Sequence, residues 1–230
     1  MTTVLVIGAN RGIGLEFTMQ YLARGDNVIG TCRDVTSASA LTQLQAENDN
    51  LQLLTLDVSS DDSLAAFPAQ LGGRAIDIFI NNAGVYGPRD SVFGNVDEQN
   101  WLPVLRINSI APMLLTQLII DNLRKGQDKK LLYVTSKMGS IDDNKGGGSY
   151  VYRSSKAALN AIVKSIAVDL SSEGFTAAVL HPGWVQTDMG GPNALIDTQT
   201  SVSGMMSVID HLSDNHAGRF FNYDGNIIPW

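Results

Sequence analysis

The first clear evidence of the fold class is the segment Thr3-Val-Leu-Val-Ile7-Gly8-Ala-Asn-Arg-Gly12-Ile-Gly14. Its first five residues predict a buried strand over Thr3–Ile7, and the amphipathic run after the glycines predicts a helix over Gly12–Arg24. Glycines permit a tight turn and let another group approach the backbone without a Cβ clash. A strand, a glycine-rich turn and a helix start are the parts of a dinucleotide site. The turn residues expected to contact such a cofactor are Gly8, Asn10, Arg11, Gly12, Ile13 and Gly14.

The rest of the chain alternates short apolar runs with longer segments of helical spacing. After Thr3–Ile7, strands are predicted over Asn27–Cys32, Leu51–Leu56, Ile76–Ile80, Lys130–Thr135, Phe175–Leu180 and Arg219–Asn222. After Gly12–Arg24, helices are predicted over Ser37–Glu47, Ser60–Leu71, Asp97–Leu123, Tyr152–Ser172 and Thr198–Ser213. All strands but the last are nearly continuously apolar, which is typical of parallel strands buried on both faces.

This alternation predicts an α/β fold with right-handed crossovers. We expect a single domain over residues 1–230, built on a Rossmann-like, doubly wound sheet of about seven parallel strands with helices on both faces. The glycine spacing is G-x-x-x-G-x-G rather than the better-known G-x-G-x-x-G, so a plain tight turn is the alternative interpretation. Its place on the first strand of an alternating chain favours the dinucleotide site.

Composition excludes several classes of function. With 16 basic and 23 acidic residues the net charge is −7, which argues against nucleic acid and against an anionic membrane surface as partners. The single cysteine, Cys32, rules out an intrachain disulfide and fits a reducing compartment. The amino terminus lacks a signal-peptide pattern, and no apolar stretch is long enough to cross a bilayer. We expect a soluble, cytoplasmic protein without a metal site.

The end of the second strand indicates which dinucleotide is bound. NAD sites place an acidic residue there for the ribose 2′-hydroxyl, whereas this run ends Thr31-Cys32-Arg33-Asp34. Cys32 stands at the acidic position and Arg33 follows it, and both are predicted cofactor contacts. Arg33, together with Arg11 in the glycine-rich turn, would suit a 2′-phosphate, so NADP(H) is favoured over NAD. Alternatively, both arginines are solvated surface residues. Asp34 is a complication, since it could pair with Arg33 or bind a ribose.

Polar and small residues close the third and fourth strands. Asp57, followed by Val58, could meet the adenine edge or cap the helix that starts near Ser60. The fourth strand runs into Asn81-Asn-Ala-Gly84, at the edge where doubly wound sheets bind ligands, although the same residues also suit an ordinary turn. The predicted cofactor contacts from these two strands are Asp57, Val58, Asn82, Ala83 and Gly84.

Two further polar residues lie in apolar surroundings. Asn108 is in the middle of the long helical run, where a buried amide is costly unless it is hydrogen-bonded. It therefore belongs either to a structural network or to a functional contact with water or backbone. Ser136 ends the fifth strand, where its hydroxyl could bind a substrate carbonyl or cap the next turn.

Tyr152 and Lys156 lie four residues apart on the most regular predicted helix and therefore share one face. A tyrosine has an ordinary pKa near 10, and a nearby ammonium lowers it. The tyrosine could then give or take a proton while a hydride moves. Chance alone can place such a pair, and its position after Ser136 is what strengthens the interpretation.

The sixth strand runs into His181-Pro-Gly-Trp-Val-Gln-Thr-Asp188, whose backbone and threonine hydroxyl could reach a nicotinamide amide. Pro-Gly is also a plain turn signal. We interpret His181 as structural. A hydrolase triad of Ser136, His181 and Asp188 is disfavoured because the serine lacks a G-x-S-x-G elbow. The predicted cofactor contacts here are Pro182, Gly183, Val185 and Thr187.

Taken in order, these motifs resemble the short-chain dehydrogenase/reductase family over the whole chain. The phrases Gly8-Ala-Asn-Arg-Gly-Ile-Gly14 and Tyr152-Arg-Ser-Ser-Lys-Ala-Ala-Leu-Asn160, with the ending Tyr223-Asp-Gly-Asn-Ile-Ile-Pro-Trp230, are most similar to its sniffer-type carbonyl reductases and C-factor-like signalling proteins. The resemblance implies that NADP(H) is the cofactor, that a small carbonyl or alcohol compound is the substrate, and that the chain forms a dimer or tetramer.

The resemblance also implies residue roles. Tyr152 would be the general acid/base, and Lys156 would bind the nicotinamide ribose and lower the tyrosine pKa. Ser136 would orient the substrate carbonyl, and Asn108 would hold a water in a proton relay. The leading hypothesis is an NADPH-dependent carbonyl reductase; the alternative is a dinucleotide-binding sensor or signalling protein with little turnover.

Three features depart from the family pattern. Ile7 stands where the family usually has a threonine, so a local hydrogen bond must be replaced. The interval between Ser136 and Tyr152 is longer than usual, and the extra residues fall in the glycine-rich stretch Gly139–Ser149, which suggests a remodelled substrate pocket. The segment after Thr187 is short, which suggests a small or open lid.

Overall fold

Seven parallel strands form one sheet in the computed structural model, which describes residues 1–230. The strands are β1 (Thr3–Ile7), β2 (Asn27–Cys32), β3 (Leu51–Thr55), β4 (Ile78–Asn81), β5 (Lys130–Val134), β6 (Thr176–His181) and β7 (Phe220–Asn222). Their order is β3-β2-β1-β4-β5-β6-β7, so the chain winds outward from β1 in both directions. The carboxyl ends of β1 and β4 flank the crevice where such sheets bind ligands. The predicted doubly wound sheet is confirmed.

Eight α-helices cover the two faces of the sheet. They are α1 (Gly12–Ala23), α2 (Ser39–Glu47), α3 (Asp61–Leu71), α4 (Glu98–Leu105), α5 (Ala111–Leu118), α6 (Ile120–Arg124), α7 (Tyr150–Asp169) and α8 (Thr198–His211). Alternate residues of β1 enter two separate cores: Val4 and Val6 pack with α1, α2 and α8, whereas Leu5 and Ile7 pack with α3, α5 and α7. None of these helices combines the length and apolar character needed to span a bilayer.

The single helix predicted over Asp97–Leu123 is wrong in detail. The segment is divided into α4, a π-helical turn over Arg106–Ile110, α5 and α6. Pro112 has no N–H to donate to the Asn108 carbonyl four residues earlier. The residue before it, Ala111, donates its N–H to the Arg106 carbonyl five residues back, which is the hydrogen bond of a π-helix. The widened turn carries Asn108, which is fully buried.

Candidate active site

The glycine-rich turn after β1 has the backbone that its sequence predicts. Gly8 and Gly12 have φ of +78° and +53°, a region that disfavours other residues. A Cβ on Gly14 would lie 2.0 Å from the Gly8 carbonyl oxygen, so only glycine fits there. The Asn82 amide donates to the same carbonyl at 2.9 Å, which ties the turn to the end of β4.

Thr31 replaces the hydroxyl that Ile7 lacks. The Gly8 N–H donates to the Thr31 side-chain oxygen at 3.3 Å, and Thr31 is fully buried in β2. Ile7 meanwhile packs in the apolar core. The turn is therefore held from the neighbouring strand rather than by the residue before the first glycine.

The amino terminus of α1 offers free donors beside this turn. Its N-cap residue, Arg11, is extended and makes no side-chain cap, and the first turn contains no acidic residue. The leading N–H groups of a helix carry partial positive charge and suit a phosphate. Because Gly14 adds no side chain to the turn, the turn fits the pyrophosphate of a dinucleotide. Asn10 and Arg11 are exposed at its rim, and Ile13 is half-buried.

The two arginines proposed for a 2′-phosphate have different surroundings. Arg11 pairs with Asp188 in the loop after β6. Arg33 is exposed and forms no ion pair, because the Asp34 carboxylate instead accepts hydrogen bonds from the Thr36 N–H and hydroxyl at 2.9 and 2.6 Å. Arg33 is therefore the arginine free to meet a phosphate at the end of β2. Cys32 beside it is buried, and burial raises the pKa of its thiol.

Asp57 does not cap α3. Ser60 does so, since its hydroxyl oxygen accepts from the Ser63 N–H at 3.2 Å. The Asp57 carboxylate accepts from the N–H and hydroxyl of Ser59, and these bonds lower its pKa. Of the two predicted alternatives, the helix cap is thus excluded and contact with an adenine edge stays a prediction. Val58 is buried in the core.

Asn108 clamps the loop that follows β4. Its side-chain oxygen accepts from the Val85 N–H and its amide donates to the Val85 carbonyl, both at 2.8 Å. The amide also donates to the Ser155 hydroxyl at 2.9 Å. Asn108 therefore belongs to a structural hydrogen-bond network, which is the first of the two alternatives predicted for it. A Cβ on Gly84 would lie 3.3 Å from both the Asn108 oxygen and the Lys156 ammonium, so Gly84 leaves room between them.

Ser136, Tyr152 and Lys156 meet at the carboxyl end of β5. The Lys156 ammonium donates to the Val134 carbonyl at 3.0 Å and lies 5.9 Å from the centre of the Tyr152 ring. All three side chains are buried. The Ser136 hydroxyl oxygen also accepts from the Met138 N–H at 3.2 Å and so caps the next turn.

Burial is the main cause of the pKa shifts of Tyr152 and Lys156. It raises the pKa of Tyr152 to about 12, against an opposing effect of the Ser136 side chain. It also lowers the pKa of Lys156 to about 8. The expectation that Lys156 lowers the tyrosine pKa is not met in this structure, where burial of the phenol raises the pKa and the opposing effect comes from Ser136 rather than from Lys156. At neutral pH Tyr152 holds its proton and Lys156 is mostly charged.

Two residues make contacts near Tyr152 that the sequence did not predict. The ring of Tyr86, in the loop after β4, stacks on the Tyr152 ring with centroids 4.4 Å apart. Asn160 is buried on α7 and bonds to the turn after Ser136. A buried asparagine on the apolar face of the helix, four residues after Lys156, was a usable signal for Asn160. No local signal indicates the stacking of Tyr86.

The loop after β6 lies against the glycine-rich turn. A Cβ on Gly12 would lie 3.2 Å from the Thr187 methyl group, so the two predicted cofactor segments are brought together. The Thr187 hydroxyl oxygen accepts from the Gly190 N–H at 3.2 Å. Gly183 has φ of +84°. Pro182 and Val185, in the same loop, are buried.

His181 is placed as a structural residue. Burial lowers its pKa to about 4, so it is neutral at physiological pH. Its ring contacts neither Ser136 nor Asp188 through a hydrogen bond, and Asp188 pairs with Arg11 instead. The hydrolase arrangement is therefore absent. No group of three or more His, Cys, Asp or Glu side chains is placed to hold a metal ion.

Comparisons with known proteins agree with this geometry. Residues 2–195 match the family model described as short chain dehydrogenase. C-signal of Myxococcus xanthus is 46% identical over 167 residues, which cover 73% of this chain and 100% of that protein. The structure of carbonyl reductase Sniffer of D. melanogaster superposes with a TM-score of 0.93 at 32% identity, covering 100% of both chains.

A second solved structure is equally similar in shape. The NADPH-bound carbonyl reductase from chicken fatty liver superposes with a TM-score of 0.93 at 34% identity, covering 100% of this chain and 99% of that one. The family-model match takes in the glycine-rich turn, the end of β5 and the Tyr152–Lys156 pair. The chain belongs to the short-chain dehydrogenase/reductase family.

Proposed function

We propose that this oxidoreductase reduces a ketone or aldehyde to an alcohol, or catalyses the reverse, with NADP(H) as cofactor and Tyr152 as acid/base. The observation that carries the proposal is the meeting of Ser136, Tyr152 and Lys156 at the end of β5, beside a glycine-rich turn that fits a pyrophosphate. The similarity to an NADPH-bound carbonyl reductase supports both the cofactor and the reaction class.

Each residue has a distinct part in this proposal. When bound, the nicotinamide supplies or accepts the hydride. The Ser136 hydroxyl donates a hydrogen bond to the substrate oxygen and orients it. Tyr152 donates its proton to the developing alkoxide, for which a phenol that stays protonated at neutral pH is suited. The Lys156 ammonium binds the nicotinamide ribose and stabilises the phenolate that remains.

The cofactor would lie across the carboxyl ends of β1, β2, β4 and β6. Gly8, Gly12 and Gly14 with the first N–H groups of α1 would hold the pyrophosphate. Arg33 would meet the 2′-phosphate, and the segments at Asp57, at Asn82 and at Thr187 would line the adenosine and nicotinamide ends. The exposed, unpaired guanidinium of Arg33 supports NADP(H) over NAD.

The proposed function is tested by following NADPH oxidation against a panel of ketones and aldehydes. Wild-type protein should turn over at least one of them, and Tyr152→Phe should lose at least about 100-fold in kcat while its NADPH Kd stays within about threefold. Full activity of Tyr152→Phe would remove the tyrosine from the mechanism. A wild type that binds NADPH and turns over nothing would contradict the reaction itself.

A signalling role is the second candidate, favoured by the 46% identity to C-signal. A sensor needs the glycine-rich turn but has no use for Ser136, Tyr152 and Lys156 together, so their joint placement favours an enzyme. The same assay separates the two: binding without turnover supports the sensor.

Assembly and location are also proposed. The chain would act in the cytoplasm as a dimer or tetramer. Leu102, Ile110 and Leu118 on the α4–α5 segment are 56%, 47% and 41% exposed, and such apolar side chains support a contact between copies through this segment and α7. Light scattering after gel filtration measures the mass directly, and a mass of 24.7 kDa would contradict assembly.

A further inference from the structure

A tyrosine ring covers the proposed acid. Tyr86 stacks on Tyr152 with an interplanar angle of 23°, and the buried Tyr152 is only 7% exposed. The Tyr86 hydroxyl lies 3.3 Å from the Ser149 hydroxyl at the start of α7. The next residue, Gly87, has φ of +77°, and a Cβ there would lie 2.7 Å from Val104. The loop after β4 is thus closely packed where it turns over the site.

Arg89 also contacts that ring. Its guanidinium carbon is 5.4 Å from the centre of the Tyr86 ring, on which Tyr152 stacks. Its Nη2 donates to the Met189 carbonyl at 3.2 Å, in the loop after β6. Arg89 therefore bridges the two loops that flank the substrate side of the site.

The charge of Arg89 is not neutralised within the chain. The side chain is exposed and takes part in none of the eight ion pairs, whereas Arg11, in the neighbouring turn, is paired with Asp188. A guanidinium has five N–H donors in a planar fork that matches a carboxylate, and contact with an aromatic face leaves its edge free to bind one. In a chain of net charge −7, such a local cation is what an anionic substrate requires.

We propose that Arg89 is a specificity-determining residue that binds a carboxylate on the substrate, so that the chain prefers carbonyl compounds bearing a carboxylate remote from the reacting carbonyl. The inference rests on the proposed reductase function. Because the Tyr86 ring contacts both the guanidinium and the Tyr152 ring, the carboxylate lies about one aromatic ring beyond the carbonyl. Tyr86 forms an apolar wall along which the substrate lies.

The test uses a matched pair of ketones, 4-acetylbenzoate and 4-acetylbenzamide, which differ in charge and share their shape. The ratio of kcat/KM for acid over amide is measured in wild type, in Arg89→Gln and in Lys125→Gln. Lys125 is an exposed cation remote from the site, where it donates to the Gly73 carbonyl, so its variant controls for net charge. Comparing ratios between variants cancels the different intrinsic reactivities of the two ketones.

We expect Arg89→Gln to lower the acid-over-amide ratio about fivefold to tenfold and Lys125→Gln to leave it unchanged. Turnover of both ketones with the same ratio in wild type and Arg89→Gln overturns the inference and leaves the reductase function intact. If neither ketone reacts, titration calorimetry with benzoate decides the matter. Binding at least about fivefold weaker in Arg89→Gln supports the carboxylate site, and absent or unchanged binding overturns it.

Discussion

The Thr135 hydroxyl donates a hydrogen bond to the Asn160 side-chain oxygen at 2.7 Å, inside the core between β5 and α7. The Asn160 amide in turn donates to the Gly139 carbonyl at 3.2 Å. One side chain on α7 thereby holds both ends of the turn that carries Ser136. Since Tyr152 and Lys156 lie on the same helix, Asn160 fixes the serine relative to the other two.

Replacing Asn160 should therefore impair turnover without affecting cofactor binding. We expect Asn160→Ala to lower kcat about tenfold to 100-fold, because small misplacements of a positioned group are costly, with NADPH Kd changed less than about threefold. Asn160→Asp keeps the acceptor for Thr135 but sets a carboxylate oxygen against the Gly139 carbonyl at a buried site, so it should not restore the activity that Asn160→Ala loses. Steady-state kinetics and fluorescence titration with NADPH measure both effects.

Ser165→Ala is the matched control for this prediction, since Ser165 is an exposed α7 residue whose hydroxyl donates only to the Ala161 carbonyl. Its kinetics should be those of wild type. An Asn160→Ala variant with unchanged kcat, or one in which kcat and NADPH binding fall together, would show that Asn160 does not position Ser136.

The glycine-rich turn leads to a prediction on folding and cofactor binding. Gly14→Ala would place a Cβ 2.0 Å from the Gly8 carbonyl oxygen and 2.6 Å from the Asn82 amide, so the turn must shift. We expect a loss of about 1–3 kcal/mol in the free energy of unfolding and at least about tenfold weaker NADPH binding. Gly146→Ala, which meets no atom within 4 Å, is the control. Equal behaviour of the two variants in urea unfolding and NADPH titration would contradict the role of the turn.

Cofactor preference should depend on one arginine more than on the other. Arg33 is exposed and unpaired, whereas Arg11 is paired with Asp188. We therefore expect Arg33→Ala to reduce the ratio of NADPH to NADH affinity about tenfold or more, and Arg11→Ala to reduce it less. Affinities for both cofactors are measured with each variant. An unchanged preference in Arg33→Ala would place the 2′-phosphate elsewhere.

Patterns that are local in sequence predicted most of the fold. The apolar strands and the glycine turn depend on neighbouring residues, and the doubly wound sheet of about seven parallel strands was predicted from the alternation of strands with helices. The prediction of one long helix was wrong because the apolar spacing continues through Pro112, whereas the backbone there lacks the N–H that an α-helix needs. Ser60 rather than Asp57 caps α3, although both residue types suit a cap.

Tertiary contacts explain the parts of the site that sequence did not predict. The stacking of Tyr86 on Tyr152 joins a loop residue to a residue of α7, and no short motif links the two. The pKa of Tyr152 was expected to fall beside Lys156, but burial, which depends on the whole packed structure, raises it. Sequence spacing identified the candidate acid/base residues, whereas their pKa values depend on the packed environment.

The pH dependence of the proposed carbonyl reduction should follow from Tyr152 and Lys156, whose pKa values are both shifted. Tyr152, with its pKa raised to about 12, stays protonated over the working range. Lys156, with its pKa lowered to about 8, loses its charge above that value and with it the stabilisation of the phenolate. We expect kcat/KM to be level between about pH 6 and 7 and to fall about tenfold per unit well above pH 8. A profile that stays level to pH 10 would show that the Lys156 charge is not needed.

The same buried ammonium should reduce stability. A fall in the Lys156 pKa from 10.5 to about 8 means that folding disfavours the charged form. This cost is fully present below about pH 8 and disappears as pH rises towards 10.5. Lys156→Met removes the charge but leaves the Val134 carbonyl without its donor, which offsets part of the gain.

We therefore expect Lys156→Met to be inactive and yet more stable than wild type by about 1–2 kcal/mol at pH 7. The gain should shrink to nothing near pH 10, where the wild-type lysine is neutral in the folded chain. Urea unfolding at both pH values measures it, with exposed Lys125→Met as the control that changes stability by less than about 0.5 kcal/mol. A Lys156→Met variant less stable than wild type at pH 7 would mean that hydrogen bonding of the ammonium outweighs its desolvation.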